Sequence, residues 1–177
     1  MQAFFTLFLF DIVLGFVPQA TGCAVCLFAM TKQRLLTKNF LITSVIFSAI
    51  AMFVRLICNY GLIDFGFHTI LIWITFVVVA ITYNKFPVLQ STISIMLSGL
   101  LIVVTELITG GVISLVIGME RFNAIMNNTA TTDGQITRAI YGIPMNVLFV
   151  AVALLFYYIL KRRREKAPAP AENDQKA

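Results

Sequence analysis

Four ionisable side chains lie within or at the ends of long apolar stretches, and they are the residues best suited to chemistry: Asp11, Arg55, His68 and Glu106. A charged group in an apolar environment is costly, so it needs a partner or a function. A pocket formed by these four residues would bind a small polar ligand, a peptide terminus or an ion. The alternative is a structural ion pair that fixes helix packing, with Arg55 extended towards lipid headgroups. The sequence leaves both interpretations open.

The cysteines favour packing over chemistry. Cys23 and Cys26 have CxxC spacing, but a zinc site needs more ligands, and the only histidine, His68, is expected at the opposite face of the membrane. A redox motif needs an exposed, electropositive setting, and this one lies in an apolar segment. Cys58 is the one cysteine expected near His68, and no phosphate-binding loop or nucleophile elbow accompanies them. We therefore predict no enzymatic activity, no metal and no cofactor.

The elements that must position these residues follow from the composition. The chain has 177 residues, of which 59% are hydrophobic and 12% charged, and its mean hydropathy is +0.92. Soluble domains are about 45–50% apolar and about 25% charged, so the composition argues against a soluble enzyme and a nucleic-acid-binding domain. It predicts an all-α integral membrane protein. A spanning helix needs about 20 apolar residues, and five stretches qualify: 3–28, 40–58, 67–83, 88–109 and 143–160.

Two of these boundaries leave alternatives open. Pro18 lies inside the first stretch, which we expect to be one long kinked helix rather than two short re-entrant pieces, because membrane helices tolerate proline. The fourth stretch meets Gly110 and Gly111, which weaken a helix, and an apolar segment follows them. The fourth helix therefore ends there, runs on, or bends to lie along the surface.

The loop between the fourth and fifth stretches, residues 118–142, is the longest predicted connection. Apolar residues at positions 119, 122, 125 and 126 predict one or two amphipathic turns at the membrane interface. A loop of this length is either a binding segment or simply tolerated length. Elsewhere, serine pairs at helical spacing predict close helix packing, namely Ser44 with Ser48 and Ser94 with Ser98.

Orientation follows from the distribution of basic residues. With five spans and a cytoplasmic C-terminus, ten of the thirteen basic residues lie on the cytoplasmic side: Lys32, Arg34, Lys38, Lys85, Lys161, Arg162, Arg163, Arg164, Lys166 and Lys176. Because short cytoplasmic loops are enriched in lysine and arginine, the N-terminus is predicted outside. The four ionisable residues then fall in the outer halves of their helices. Any pocket they form should face the cell exterior.

The predicted organisation is one polytopic domain over residues 1–164 in the cell membrane and a tail over residues 165–177. The tail, EKAPAPAENDQKA, is polar and rich in alanine and proline, so we expect it to be disordered in the cytoplasm. The lipid bilayer is the predicted partner, and no nucleic acid is expected. The net charge of +5 is explained by residues that orient the chain and attract anionic lipids.

Several short segments carry a family resemblance from about residue 40 to residue 164. The matching segments are Val54-Arg55-Leu56-Ile57, Phe65-Gly66-Phe67-His68-Thr69-Ile70-Leu71, Glu106, and Tyr141-Gly142-Ile143-Pro144. In their order and spacing the chain resembles the N-terminal membrane region of agr-type quorum-sensing histidine kinases of Clostridia-like Gram-positive bacteria. The resemblance implies an input module that senses an extracellular signal. The family continues into a kinase domain, whereas this sequence ends thirteen residues after Arg164.

The expected function is therefore that of a sensor-like membrane protein without a kinase domain, which signals through a cytoplasmic kinase or as a homo-oligomer. Two other classes remain open. One is a small-molecule transporter subunit that binds the substrate, although a dedicated pocket usually holds more polar groups. The other is a structural or holin-like membrane protein, which needs no charges within its spans.

Overall fold

The computed structural model describes residues 11–59, 67–127 and 132–166, and within these ranges the secondary structure is helical. A π-helical turn over Asp11–Phe16 leads into six α-helices. They are α1 (Val17–Met30), α2 (Lys38–Asn59), α3 (Phe67–Thr82), α4 (Val88–Ile117), α5 (Met119–Asn127) and α6 (Thr132–Lys166). The predicted all-α class is confirmed for the described residues. Residues 3–10 of the predicted stretch 3–28 lie outside the described residues.

Two helical stretches, Val88–Ile117 and Ile136–Lys166, are long and apolar enough to cross a membrane. Three others are apolar but shorter: Leu14–Met30, Lys38–Val54 and His68–Thr82. Helices thus occupy the described part of every predicted stretch. The observed helices differ from the predicted stretches in where they begin and end.

The glycine pair does not end the fourth helix. α4 continues through Gly110 and Gly111 for two further turns and ends at Gly118, which has the left-handed φ of +89° that glycine adopts without strain. Of the alternatives left open at the glycine pair, the helix runs on, and the span predicted over residues 88–109 lies within it. Apolar residues beyond the pair continue the exposed side of the helix, so the cost of about 1 kcal/mol per glycine relative to alanine does not end it.

The predicted long loop over residues 118–142 is also mostly helical. Its amphipathic segment forms α5, and α6 begins at Thr132 rather than at residue 143. Pro144 lies inside α6 without ending it. At the other end α6 runs to Lys166, so the first two residues of the predicted tail are helical, and residues 167–177 lie outside the described residues.

α1 is the central helix of the bundle, packed against α2, α4 and α6. Every residue from Gly22 to Ala29 is buried. Its small side chains let neighbouring helices approach closely: a Cβ at Gly22 would lie 2.3 Å from the ring of Phe149 on α6. Pro18 falls in the first turn of α1, directly after the π-helical turn, and it has no N–H to donate to the carbonyls of that turn.

The connections α1–α2 and α3–α4 and the C-terminus of α6 meet at one end of the bundle. The ring of Phe28 packs edge-on against Phe40 and Phe86, each at 5.4 Å between centroids. The Tyr157 hydroxyl accepts the backbone N–H of Leu35 at 3.5 Å. We call this the basic end, because it gathers the described members of the ten basic residues that were predicted to share one face. They are Lys32, Arg34, Lys38, Lys85, Lys161, Arg162, Arg163, Arg164 and Lys166.

Arg164 ties the centre of the bundle to this end. Its guanidinium donates a hydrogen bond to the carbonyl oxygen of Ala29 in the last turn of α1. The last carbonyls of a helix have no partner within the helix and carry partial negative charge. An arginine at that position therefore supplies both a donor and a favourable charge, and it links the C-terminus of α1 to that of α6.

Candidate functional site

A cavity of about 350 Å³ lies where α1, α3 and α4 meet, towards the end of the bundle away from the basic end. His68 and Thr69 begin α3 on one side of the cavity, and Glu106 of α4 is on the other side. The remaining lining residues come from the π-helical turn and from four helices: Phe16, Gln19, Ala20, Cys23, Ala51, Ile72, Trp73, Phe76, Gly99, Ile102 and Val103. We call this the His68 cavity.

The structure brings two of the four predicted site residues together. His68 and Glu106 share this cavity, as expected from the sequence. Asp11 begins the π-helical turn that ends at Phe16, and Arg55 lies on α2 one helical turn beyond Ala51, which lines the cavity. The side chains of Asp11 and Arg55 lie outside the described residues, so their predicted pairing with Glu106 stays a prediction.

Glu106 is deeper along its helix than the sequence indicated. Because α4 continues to Ile117, Glu106 lies about 16 Å from the end of the helix rather than one turn from it. Its side chain is exposed at the mouth of the cavity rather than enclosed. An exposed carboxylate beside an apolar cavity is suited to accept hydrogen bonds from an amine, an amide or a hydroxyl group of a ligand.

Close packing of α3 against α4 forms one wall of the cavity. A Cβ at Gly99 on α4 would lie 2.3 Å from the indole ring of Trp73 on α3, so only glycine permits this approach. Phe76 adds a stacked pair with Phe47 of α2, with ring centroids 3.9 Å apart and an angle of 4° between the planes. These contacts hold the aromatic wall of the cavity in place, which favours a preformed site.

The cysteine prediction is confirmed in one respect and wrong in another. Cys23 and Cys26 are buried free thiols, and Ser98 of α4 lies against both. However, Cys23 lines the same cavity as His68, whereas the sequence placed them at opposite faces. The reason is that α1 crosses the centre of the bundle, so its middle reaches the cavity floor. In the described ranges, no three of the His, Cys, Asp and Glu residues are grouped to hold a metal ion.

A second cavity of about 280 Å³ lies on the other side of Glu106, between α4, α5 and α6. Arg138 and Tyr141 of α6 line it together with Glu106 and Thr109. Arg138 was predicted to lie in the outer loop, because the sequence did not indicate the first three turns of α6. Among the described lysine and arginine residues, Arg138 thus lines a cavity together with Glu106.

Gln19 and Asn146 are polar groups that the sequence analysis missed. Gln19 lies on α1 and lines the His68 cavity. Asn146 is buried on α6, and its side-chain amide donates to the carbonyl oxygen of Leu14 in the π-helical turn at 2.5 Å. A π-helical turn disrupts the regular i to i−4 bonding of the backbone, and this amide satisfies one of its carbonyls. A polar residue inside an apolar stretch was the available signal for both.

No family model, no curated protein and no solved structure matches this chain.

Proposed function

We propose that this protein is a multi-pass protein of the cell membrane that binds a small extracellular ligand in the His68 cavity and transmits the binding to its cytoplasmic end. The observation that carries the proposal is the cavity itself, in which His68 and Glu106 lie beside a preformed aromatic wall. Membrane placement, orientation, ligand chemistry and transmission each have their own support.

The surface of α4 supports membrane placement. Its outward side chains are large and apolar, with Leu100 60% and Leu107 71% exposed, whereas its buried side chains include Ser94, Ser98 and Thr105. In water this long apolar face would stay exposed, and each large side chain would forgo about 1.5–3 kcal/mol of burial free energy. Lipid reverses that preference, because helices in lipid pack through small residues. Ser94 and Ser98 hydrogen-bond their own helix, to Gln90 and Ser94 carbonyls at 2.6 Å and 2.7 Å.

The basic end supports the orientation. Lysine and arginine are enriched in cytoplasmic loops, and three basic segments gather at this end. The His68 cavity lies towards the other end, since α3 carries His68 in its first turn and ends just before Lys85. The cavity therefore faces the cell exterior in this arrangement.

The lining indicates the class of ligand. Glu106 attracts a cationic or hydrogen-bond-donating group, and Gln19 and Thr69 offer neutral polar groups. Trp73 and Phe76 supply faces for an apolar or cationic group. A volume of about 350 Å³ is at the small end of ligand pockets. A peptide amino terminus with one adjoining side chain fits this chemistry, in agreement with the resemblance to agr-type input regions.

Transmission has a direct structural route. α1 contributes Gln19 and Cys23 to the cavity and ends at the hydrogen bond between Ala29 and Arg164. A ligand that shifts α1 would thus move the C-terminus of α6. A cytoplasmic kinase or a second copy of this chain would receive that shift. A substrate-binding transporter component would need the binding step but not this movement.

Trp73 provides the test of binding, because it is the only tryptophan in the sequence and it lines the cavity. The purified protein in detergent micelles is titrated with short peptides that have a free or an acetylated amino terminus. We expect a saturable change in Trp73 emission with the free terminus, at least tenfold weaker in affinity for Glu106→Gln. Glu120→Gln on α5 is the matched control, because Glu120 lines neither cavity. Equal affinities for free and acetylated peptides, or for both variants, would contradict the proposal.

Spin labels test transmission. Cysteines replace Lys85 and Arg162 at the basic end, in a Cys58→Ser background, and the buried Cys23 and Cys26 stay unlabelled. The peptide that changes Trp73 emission should shift the distance distribution between the two labels. An unchanged distribution under saturating peptide would refute the sensing step and favour a transporter component.

A further inference from the structure

A third opening lies at the basic end, between α1, the α1–α2 connection, α2 and α6. It has a volume of about 740 Å³ and is separate from both cavities near Glu106. Its polar rim consists of two basic residues, one acidic residue and a tyrosine, namely Arg34, Lys161, Glu165 and Tyr157. Val25, Phe40 and Leu154 form its apolar wall. We call it the basic-end cleft. The ligand binding proposed above makes no use of it.

The rim presents positive charge that is weakly neutralised. Lys161 lies 3.9 Å from Glu165 one turn along α6, and both side chains are more than half exposed. Exposed pairs of this kind contribute little, so an anionic group competes well for Lys161. Arg34 is exposed on the other side of the cleft. Tyr157 accepts the Leu35 N–H through its oxygen, which leaves its own hydroxyl proton free to donate.

The apolar wall of the cleft is about as long as one leaflet of bilayer hydrocarbon is thick. Val150, Leu154, Tyr157 and Lys161 are spaced by three or four residues and therefore lie on one face of α6. From Lys161 to Val150 this face runs for about 16 Å along the helix axis. One leaflet of hydrocarbon is about 15 Å thick, which is half of a bilayer core. In the membrane placement proposed above, the basic rim of the cleft lies at headgroup level and its apolar wall reaches about the bilayer midplane.

We propose that the basic-end cleft binds one anionic phospholipid from the cytoplasmic leaflet, with its phosphate between Arg34 and Lys161 and an acyl chain against Leu154. The proposal rests on the membrane placement proposed above. Charge complementarity selects an anionic over a zwitterionic headgroup. The apolar wall selects a lipid over free phosphate, which would bind at the rim alone.

Lipid retention measured by native mass spectrometry tests the headgroup. The full chain in detergent is incubated with phosphatidylglycerol or phosphatidylcholine that has identical acyl chains. A basic side chain near an anionic surface contributes about fivefold in affinity, so Arg34→Gln with Lys161→Gln should lower phosphatidylglycerol affinity by about 25-fold. Arg162→Gln with Arg163→Gln removes the same charge from exposed positions outside the cleft and should change the affinity less than threefold.

A second pair of variants tests the cleft independently of charge. Leu154→Trp fills the cleft, whereas Leu155→Trp adds the same ring at a neighbouring exposed position outside it. Leu154→Trp should release phosphatidylglycerol and Leu155→Trp should retain it.

Three outcomes would overturn the proposal: equal losses for the two charge pairs, which mean general attraction to a basic surface; equal retention by both tryptophan variants; or displacement of the lipid by inorganic phosphate. The membrane placement is judged separately, by whether the chain stays with vesicles of the same lipids at pH 11.

Discussion

Replacing Gly22 by alanine perturbs the contact on which the central position of α1 depends. Gly22 faces Phe149 of α6, and both residues are buried. A Cβ at position 22 would lie 2.3 Å, 2.8 Å and 3.0 Å from three atoms of the Phe149 ring. Ordinary contact begins at about 3.4 Å, so the ring or the helix must move by about 1 Å.

The size of the effect follows from two opposing terms. Overpacking a buried site costs about 1–3 kcal/mol, and Phe149 is 1% exposed, so its ring has no free space to enter. Alanine is better than glycine in a helix interior by about 1 kcal/mol. The difference leaves Gly22→Ala destabilising by up to about 2 kcal/mol. Gly111→Ala is the matched control, because nothing lies within 4 Å of its Cβ position and only the helical gain applies.

The assay is reversible unfolding in dodecylmaltoside micelles by titration with sodium dodecyl sulfate, followed by the circular dichroism of the helices. Gly22→Ala should lower the free energy of unfolding, and Gly111→Ala should raise it by up to about 1 kcal/mol. Phe149→Leu should recover at least half of the loss when combined with Gly22→Ala, because the two side chains are coupled. A Gly22→Ala protein as stable as the Gly111→Ala protein would refute the packing of α1 against α6.

Two further substitutions test the polar links of the bundle in the same assay. Asn146→Ala removes the amide that bonds the Leu14 carbonyl, and we expect a loss of about 1 kcal/mol, the usual net contribution of an intramolecular hydrogen bond. No change in stability would mean that the π-helical turn needs no such partner. Arg164→Gln removes the guanidinium from the Ala29 carbonyl and should lower the free energy of unfolding by about 1 kcal/mol. Arg163→Gln, at an exposed neighbouring position, should leave it unchanged. Equal losses of stability for the two variants would contradict the specific contact.

The helix positions were largely predictable, and the errors have one cause. Hydropathy placed α2 and α3 within two residues at each end, because Lys38 and Asn84 mark sharp changes from polar to apolar sequence. It failed around residues 110–142, where α4 continues past two glycines and α6 starts three turns early. Two glycines interrupt the apolar pattern in α4, and polar residues are mixed into the first turns of α6, so hydropathy did not distinguish helix from loop in either place.

The candidate site was predicted in part. His68 and Glu106 were found because ionisable residues are rare in apolar stretches, and the structure places both on one cavity. Gln19 and Trp73 were not found, since each belongs to a helix whose facing side is set by neighbours rather than by its own sequence. Arg138 was not found because the first turns of α6 were predicted to be loop. α1 in particular is buried on all sides and so has no polar face that a periodicity could reveal.

The sequence by itself determined the apolar helices, the scarcity of ionisable residues within them and the collection of basic residues in three segments, because these depend on local composition. Only the tertiary structure decided that α1 lies at the centre, that Gly22 admits the ring of Phe149, and that Glu106 lies between two cavities. The physical reason is that an apolar side chain suits a protein interior and a lipid surface equally well. Hydropathy therefore cannot choose between them, and steric fit among small residues does.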